Sequence, residues 1–195
     1  MSILVQSNPL VMFLQFTGRS GAGKTTLAMR VCALLERRQI ACQVIDGDVY
    51  RQTLCNDLGF SAADRAENIR RLGQLAAQIS ATGQVAILCA INPFDQGRQA
   101  LEARYNALTI WIDCSLPVLI KRDTKGLYRR ALLPLADPLH IADLLGPGDL
   151  YENPRQAALH IRTDHCSIAE AAQQITAFIL AARQQPAAVP VHGIH

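Results

Sequence analysis

Gly18-Arg19-Ser20-Gly21-Ala22-Gly23-Lys24-Thr25 fits the pattern G-x-x-x-x-G-K-[ST] at every fixed position. The apolar, β-rich run Val11 to Thr17 leads into it and a helical pattern follows. That strand–loop–helix setting is what a phosphate-wrapping loop needs, because the glycines let backbone N–H groups turn inward and the helix N-terminus adds its positive end. Lys24 is expected to bridge the β- and γ-phosphates and Thr25 to ligate Mg²⁺. Residues Gly18 to Thr25, with Thr26 behind them, then form an ATP site. A GTPase would also carry a base-reading N-K-x-D segment. None is present, and Lys121-Arg122-Asp123-Thr124-Lys125 has the wrong order for one. A nucleoside- or nucleotide-type kinase therefore fits better than a switch protein.

Outward from the loop, short β-rich runs alternate with longer helical patterns. They are Val11 to Thr17, Ala41 to Ile45, Val85 to Ala90, Leu108 to Asp113 and Ala158 to Arg162. Five buried strands separated by helices predict an α/β fold: one P-loop NTPase/kinase domain, with a five-stranded parallel sheet, helices on both faces and a lid. Ligands then collect at the carboxyl ends of the strands. Ser61 with Asp64 three residues on resembles a capping box, and Ile69, Leu72, Leu75, Ala76 and Ile79 continue at helical spacing. Pro134, Pro138, Gly146, Pro147 and Gly148 interrupt the stretch from Ala131 to Pro154, which reads as a lid spanning about 123–154. Ile168 to Ala182 reads as an amphipathic helix. The domain is expected to occupy 1–185, with 186–195 a flexible tail.

The 195 residues suit one domain and one site. Net charge is only +3, but sixteen of the nineteen basic residues are arginine, whose planar fork suits phosphate and sulfate. The basic residues are too few and too scattered for a nucleic-acid stripe, so nucleic acid is not an expected partner. No apolar run reaches the ~18 residues that span a bilayer, and the N-terminus lacks a basic leader, so cytoplasm is the default. Cys32, Cys42, Cys55, Cys89, Cys114 and Cys166 form no C-x-x-C pair and read as reduced, buried thiols.

The second strand ends in Asp46-Gly47-Asp48-Val49-Tyr50-Arg51. Phosphoryl transfer needs one group to orient or deprotonate the attacking hydroxyl and a carboxylate near the metal, and two aspartates at a strand end could divide those tasks. Spacing leaves open which does which. Farther on come Leu58-Gly59-Phe60-Ser61-Ala62-Ala63-Asp64-Arg65-Ala66-Glu67-Asn68-Ile69-Arg70-Arg71, Ile91-Asn92-Pro93-Phe94 and Arg122-Asp123-Thr124-Lys125-Gly126-Leu127-Tyr128. From about residue 13 to 180, and in the same order, these segments resemble the adenylylsulfate kinase family.

The resemblance implies ATP-dependent phosphorylation of the 3′-hydroxyl of adenylylsulfate, as in sulfate assimilation, with a small nucleotide acceptor as the partner molecule. It assigns catalytic roles to Lys24, Asp46, Asp48 and Lys125, and metal contacts to Thr25 and Asp48. Asp48 is placed near the acceptor hydroxyl, with Asp46 supporting it. Arg51, Arg65 and Asn68 are placed on the phosphosulfate and sugar, and Phe60 on the acceptor adenine. Ile91 and Asn92 stand on the acceptor side, Lys125 is the lid lysine, and Arg122 and Cys166 belong to the ATP-adenine side. Family members are often dimeric, so a homodimer is compatible with the resemblance. Three positions depart from the pattern. Asn92 replaces a serine, and an amide cannot take a phosphoryl group; Val49 replaces an asparagine; Leu144 stands where the family has the phenylalanine that faces Phe60 across the base. The altered clamp makes a cytidine diphosphate derivative the alternative acceptor. A catalytically silent nucleotide-binding regulatory subunit is the third reading, opposed by intact Lys24, Thr25, Asp46, Asp48 and Lys125. Arg70 and Arg71 are adjacent and cannot share a helix face.

Overall fold

The computed structural model describes residues 11–123, 125–134, 136–141 and 151–184. Its strands are β1 (Met12–Thr17), β2 (Cys42–Asp46), β3 (Val85–Cys89), β4 (Leu108–Asp113) and β5 (Leu159–Arg162). They form one sheet in the order β2-β3-β1-β4-β5, and every pairing is parallel. Parallel neighbours need crossovers, which α1 (Lys24–Glu36), α3 (Ala62–Ala81) and α4 (Asp95–Tyr105) supply. The short α2 (Gly47–Tyr50), α5 (Leu116–Arg122) and α6 (Leu127–Ala131) and the closing α7 (Ile168–Gln184) complete the described chain.

The two-residue pleat of β1 divides the core. Met12, Leu14 and Phe16 pack with Val31 and Leu35 of α1 and Ile175 and Ile179 of α7. Phe13 points the other way, into Ile45, Leu72, Ala76 and Leu101, so helices cover both faces as the apolar runs predict. On that second side Gln15 and Thr17 are also fully buried, which obliges each to find partners.

The predicted capping box is present: Ser61 Oγ accepts from Asp64 N at 3.1 Å and donates to its Oδ2 at 2.7 Å. Arg70 and Arg71 diverge as adjacent helix positions must, Arg70 pairing with Glu67 in solvent and Arg71 bridging Glu67 to Asp57. Two findings differ from expectation. The stretch expected to form a lid contains α6, too short for periodicity to reveal; Gly126 is its N-cap, and the Asp123 carboxylate accepts from Tyr128 N and Arg129 N of its first turn. The six-thiol reading is also corrected. Cys32 on α1 and Cys42 at the start of β2 form a disulfide, because the chain reverses between those elements and brings their Cα atoms to 5.3 Å. Leu144, Gly146 and the tail after Gln184 lie outside the described residues.

Candidate active site

Where β1 ends, the phosphate loop is pressed against the neighbouring strand. A Cβ on Gly18 would lie 2.0 Å from the Ile112 carbonyl oxygen, so only glycine fits there. Gly23, at φ 98°, turns the chain into α1, whose first turn carries no acidic residue and leaves its positive end for an anion. Two contacts brace the loop: Tyr128 Oη donates to Ser20 O at 2.7 Å, and Thr163 Oγ1 to Ala22 O at 3.1 Å.

Lys24 folds back over the loop, donating from Nζ to Gly18 O at 2.8 Å and Arg19 O at 3.0 Å. Burial pushes its ammonium down to about 8, against the opposing pull of nearby groups including Asp48 and Asp46. The sign of the consequence is fixed, because Lys24 is charged below about pH 8 and neutral above it. Affinity for an ATP analogue should hold steady up to that pH and then weaken, approaching about tenfold per pH unit for one linked proton. Titration calorimetry from pH 7 to 9.5 checks this, and a flat profile would refute it.

β2 delivers the carboxylates. Asp46 caps α2, and both its oxygens are engaged: Oδ1 accepts from Asp48 N at 2.9 Å and Oδ2 from Thr25 Oγ1 at 2.7 Å. Asp48 is fixed only through its backbone. Its side chain is 74% exposed and ion-paired with Lys125 Nζ.

Phe60 is 56% exposed and so is no staple into the core. The Arg51 guanidinium sits 4.5 Å from its ring centroid and that of Arg65 5.5 Å. Arg51 Nη1 donates to Gly59 O at 2.7 Å, and Arg65 Nε to Phe60 O at 2.7 Å.

A cleft of about 1010 Å³ joins these groups. Lys24, Thr25, Thr26, Asp46, Asp48 and Lys125 line it, together with Ser20, Gly21 and Gly23 of the loop. Arg51, Phe60, Arg65, Ile91 and Asn92 form another wall of it. Gly18 and Ala22 back the loop rather than face the cleft, and Arg19 lies over the ring of Tyr151. Asn68 is buried behind the wall, its Oδ1 without a hydrogen-bond partner among the described residues. The Asn92 amide turns inward, donating to Gln15 Oε1 at 3.1 Å. Arg122 and Cys166 stand on the far side of the loop: Arg122 Nη2 donates to Thr163 O at 3.0 Å, and Cys166 Sγ bonds to Arg162 O.

Other lining residues had no role assigned from sequence. Arg130, His140 and Ile141 line the cleft from the stretch expected to form a lid, where no periodicity marks them. Cys89 closes its floor, its thiol pushed up to about 12 by burial and therefore neutral. The brace from Tyr128 belongs to a motif whose letters were legible and whose reach to Ser20 was not.

A sheet that sends a phosphate loop from β1 and a carboxylate pair from β2, with β3 between them, has the architecture of a P-loop kinase. The family model for adenylylsulphate kinase matches residues 9–162. An adenylyl-sulfate kinase from Chloroflexus aurantiacus is 40% identical over 163 residues, covering 83% of this chain and 85% of that one. One from Burkholderia ambifaria is 40% identical over 157 residues, covering 79% and 84%. Among solved structures, the APS kinase CysC of Mycobacterium tuberculosis in complex with AMPPNP and APS superposes with a TM-score of 0.74 at 32% identity, covering 87% of this chain and 97% of that one. The chain belongs to the adenylylsulphate kinase family.

Proposed function

We propose that this chain transfers the γ-phosphoryl group of ATP to the 3′-hydroxyl of adenylylsulfate. The observation that carries the reading is that one cleft holds the phosphate-loop Lys24 and Thr25 together with Asp48, Arg51, Phe60, Arg65 and Lys125. Arginine forks bind tetrahedral anions bidentately, and an exposed aromatic ring offers a face to a base.

Asp46 is committed to Thr25 and to the backbone of Asp48, so it serves the metal side. Asp48 is left to orient and deprotonate the acceptor hydroxyl, with Lys125 of the lid as its counter-ion. The Thr25 hydroxyl and the Asp46 carboxylate are hard oxygen donors, which fit Mg²⁺ held by few protein groups and by substrate phosphates. The bound ion would neutralise charge between the β- and γ-phosphoryl oxygens. The inward-turned Asn92 offers no nucleophile, so transfer is direct and chiral γ-phosphate should emerge inverted.

Steady-state kcat/KM for adenylylsulfate against a cytidine diphosphate derivative, with MgATP, tests the acceptor. We expect the adenylyl compound to win. Preference for the cytidine compound would establish the alternative acceptor, and no turnover of any acceptor the silent subunit.

No helix among the described residues is long and apolar enough to cross a membrane. We place the enzyme in the cytoplasm, where its ATP is supplied.

A further inference from the structure

Beneath the acceptor wall lies a charged side chain that phosphoryl transfer does not itself require. Arg98 on α4 is 1% exposed, and burying a guanidinium is costly unless partners compensate it; its two Nη groups are engaged, while Nε has no partner among the described residues. Its Nη1 donates to Asn92 O at 2.9 Å, and its Nη2 to Glu152 O at 2.8 Å and Asp95 Oδ1 at 3.0 Å. The guanidinium also lies 5.6 Å from the ring centroid of Tyr151, whose ring carries the Arg19 guanidinium of the phosphate loop at 5.3 Å. Tyr151 Oη donates to Thr17 Oγ1 at 3.0 Å, which in turn donates to Ile91 O at 2.6 Å. Glu152 adds two ties, N donating to Pro93 O at 2.9 Å and Oε2 accepting from Asp95 N at 2.7 Å.

Three segments remote in sequence meet here: the turn Ile91 to Pro93, the chain returning from the lid stretch at Tyr151, and Arg19. The turn needs holding, since Asn92 sits at φ 39°, a conformation that side-chain-bearing residues rarely adopt unless their surroundings impose it. The same turn lines the cleft that the phosphate loop also lines. A fully buried charge that gathers backbone carbonyls from two such segments fixes geometry that apolar packing alone would leave loose.

We propose that Arg98 is a positioning residue for the acceptor: without touching either substrate, it sets the Ile91–Pro93 wall in register with the phosphate loop through Tyr151. This rests on the reading above that the wall faces the acceptor. Arg98→Met removes the fork and Arg98→Lys keeps a charge that cannot span all three acceptors. In Arg98→Met, kcat/KM for the acceptor should fall about 10²-fold, carried by acceptor KM, because small misplacements at a reacting pair are that costly. KM for ATP should stay within about twofold of wild type, since the loop keeps its own braces from Tyr128 and Thr163. Arg98→Lys should recover part of the loss. If Arg98→Met does not fold, Tyr151→Phe answers the same question, because it keeps the ring and removes only the hydroxyl that reaches Thr17. Its acceptor KM should rise while its ATP KM holds. The split is measured with whichever nucleotide wild type phosphorylates, so a wrong acceptor assignment shows in wild type and not in the variants. Parallel losses for ATP and acceptor, or a lowered Tm with both KM values intact, would overturn the proposal.

Discussion

Lys24→Ala is expected to lower kcat by about 10²–10³-fold, the usual loss when one preorganised contact to developing charge is removed. Lys24 is the only side chain on the loop whose ammonium reaches across it, bonding both Gly18 O and Arg19 O. On the proposed reading the ammonium exchanges those carbonyls for the phosphate oxygens of ATP. Alanine removes that charge without disturbing the loop, which is shaped by Gly18 against Ile112 and braced by Tyr128 and Thr163. Burial of the ammonium already disfavours its charged form, so the variant should melt no lower than wild type. Single-turnover rates at saturating ATP, with a melting curve beside them, check both halves. Wild-type turnover in the variant would remove the phosphate loop from the mechanism.

The strands and the loop could be read from sequence because each rests on local information. Continuous apolar runs ending in turn residues place all five strands to within about a residue, and the capping box starts α3 at the predicted position. Chain reversals were harder to read. Nothing in the spacing of Cys32 and Cys42 announces that α1 and β2 set them side by side. The different settings of Asp46 and Asp48 were equally hidden, because they depend on where β2 stops and α2 begins. Once Asp46 becomes the cap of α2, its second oxygen accepts from Thr25, which is the support for the proposed place of Asp46 on the metal side. Arg98 shows the limit most clearly. A lone arginine on a helical pattern reads as solvated, and only the meeting of Asn92, Asp95 and Glu152 around it explains its burial.

Asp48→Asn is the variant that separates chemistry from binding at the acceptor side. The substitution keeps the shape of the side chain and leaves the backbone bond to Asp46, so the end of β2 and the placement of Thr25 are unchanged. What it removes is the negative charge that pairs with Lys125 and the oxygen able to take a proton from the attacking hydroxyl. General-base assistance is worth about 10²–10⁴-fold, and kcat should fall within that range while acceptor KM moves little. The ion pair itself contributes little to stability, since both partners are more than half exposed. Tm should therefore stay near wild type, which sets this variant apart from one that merely unfolds the site. Asp46→Asn should behave differently, because Asp46 holds Thr25: its loss should appear as a raised requirement for Mg²⁺. Activity of Asp46→Asn rescued by high Mg²⁺, with Asp48→Asn unresponsive, is the expected pair of results. The opposite pattern would exchange the two roles.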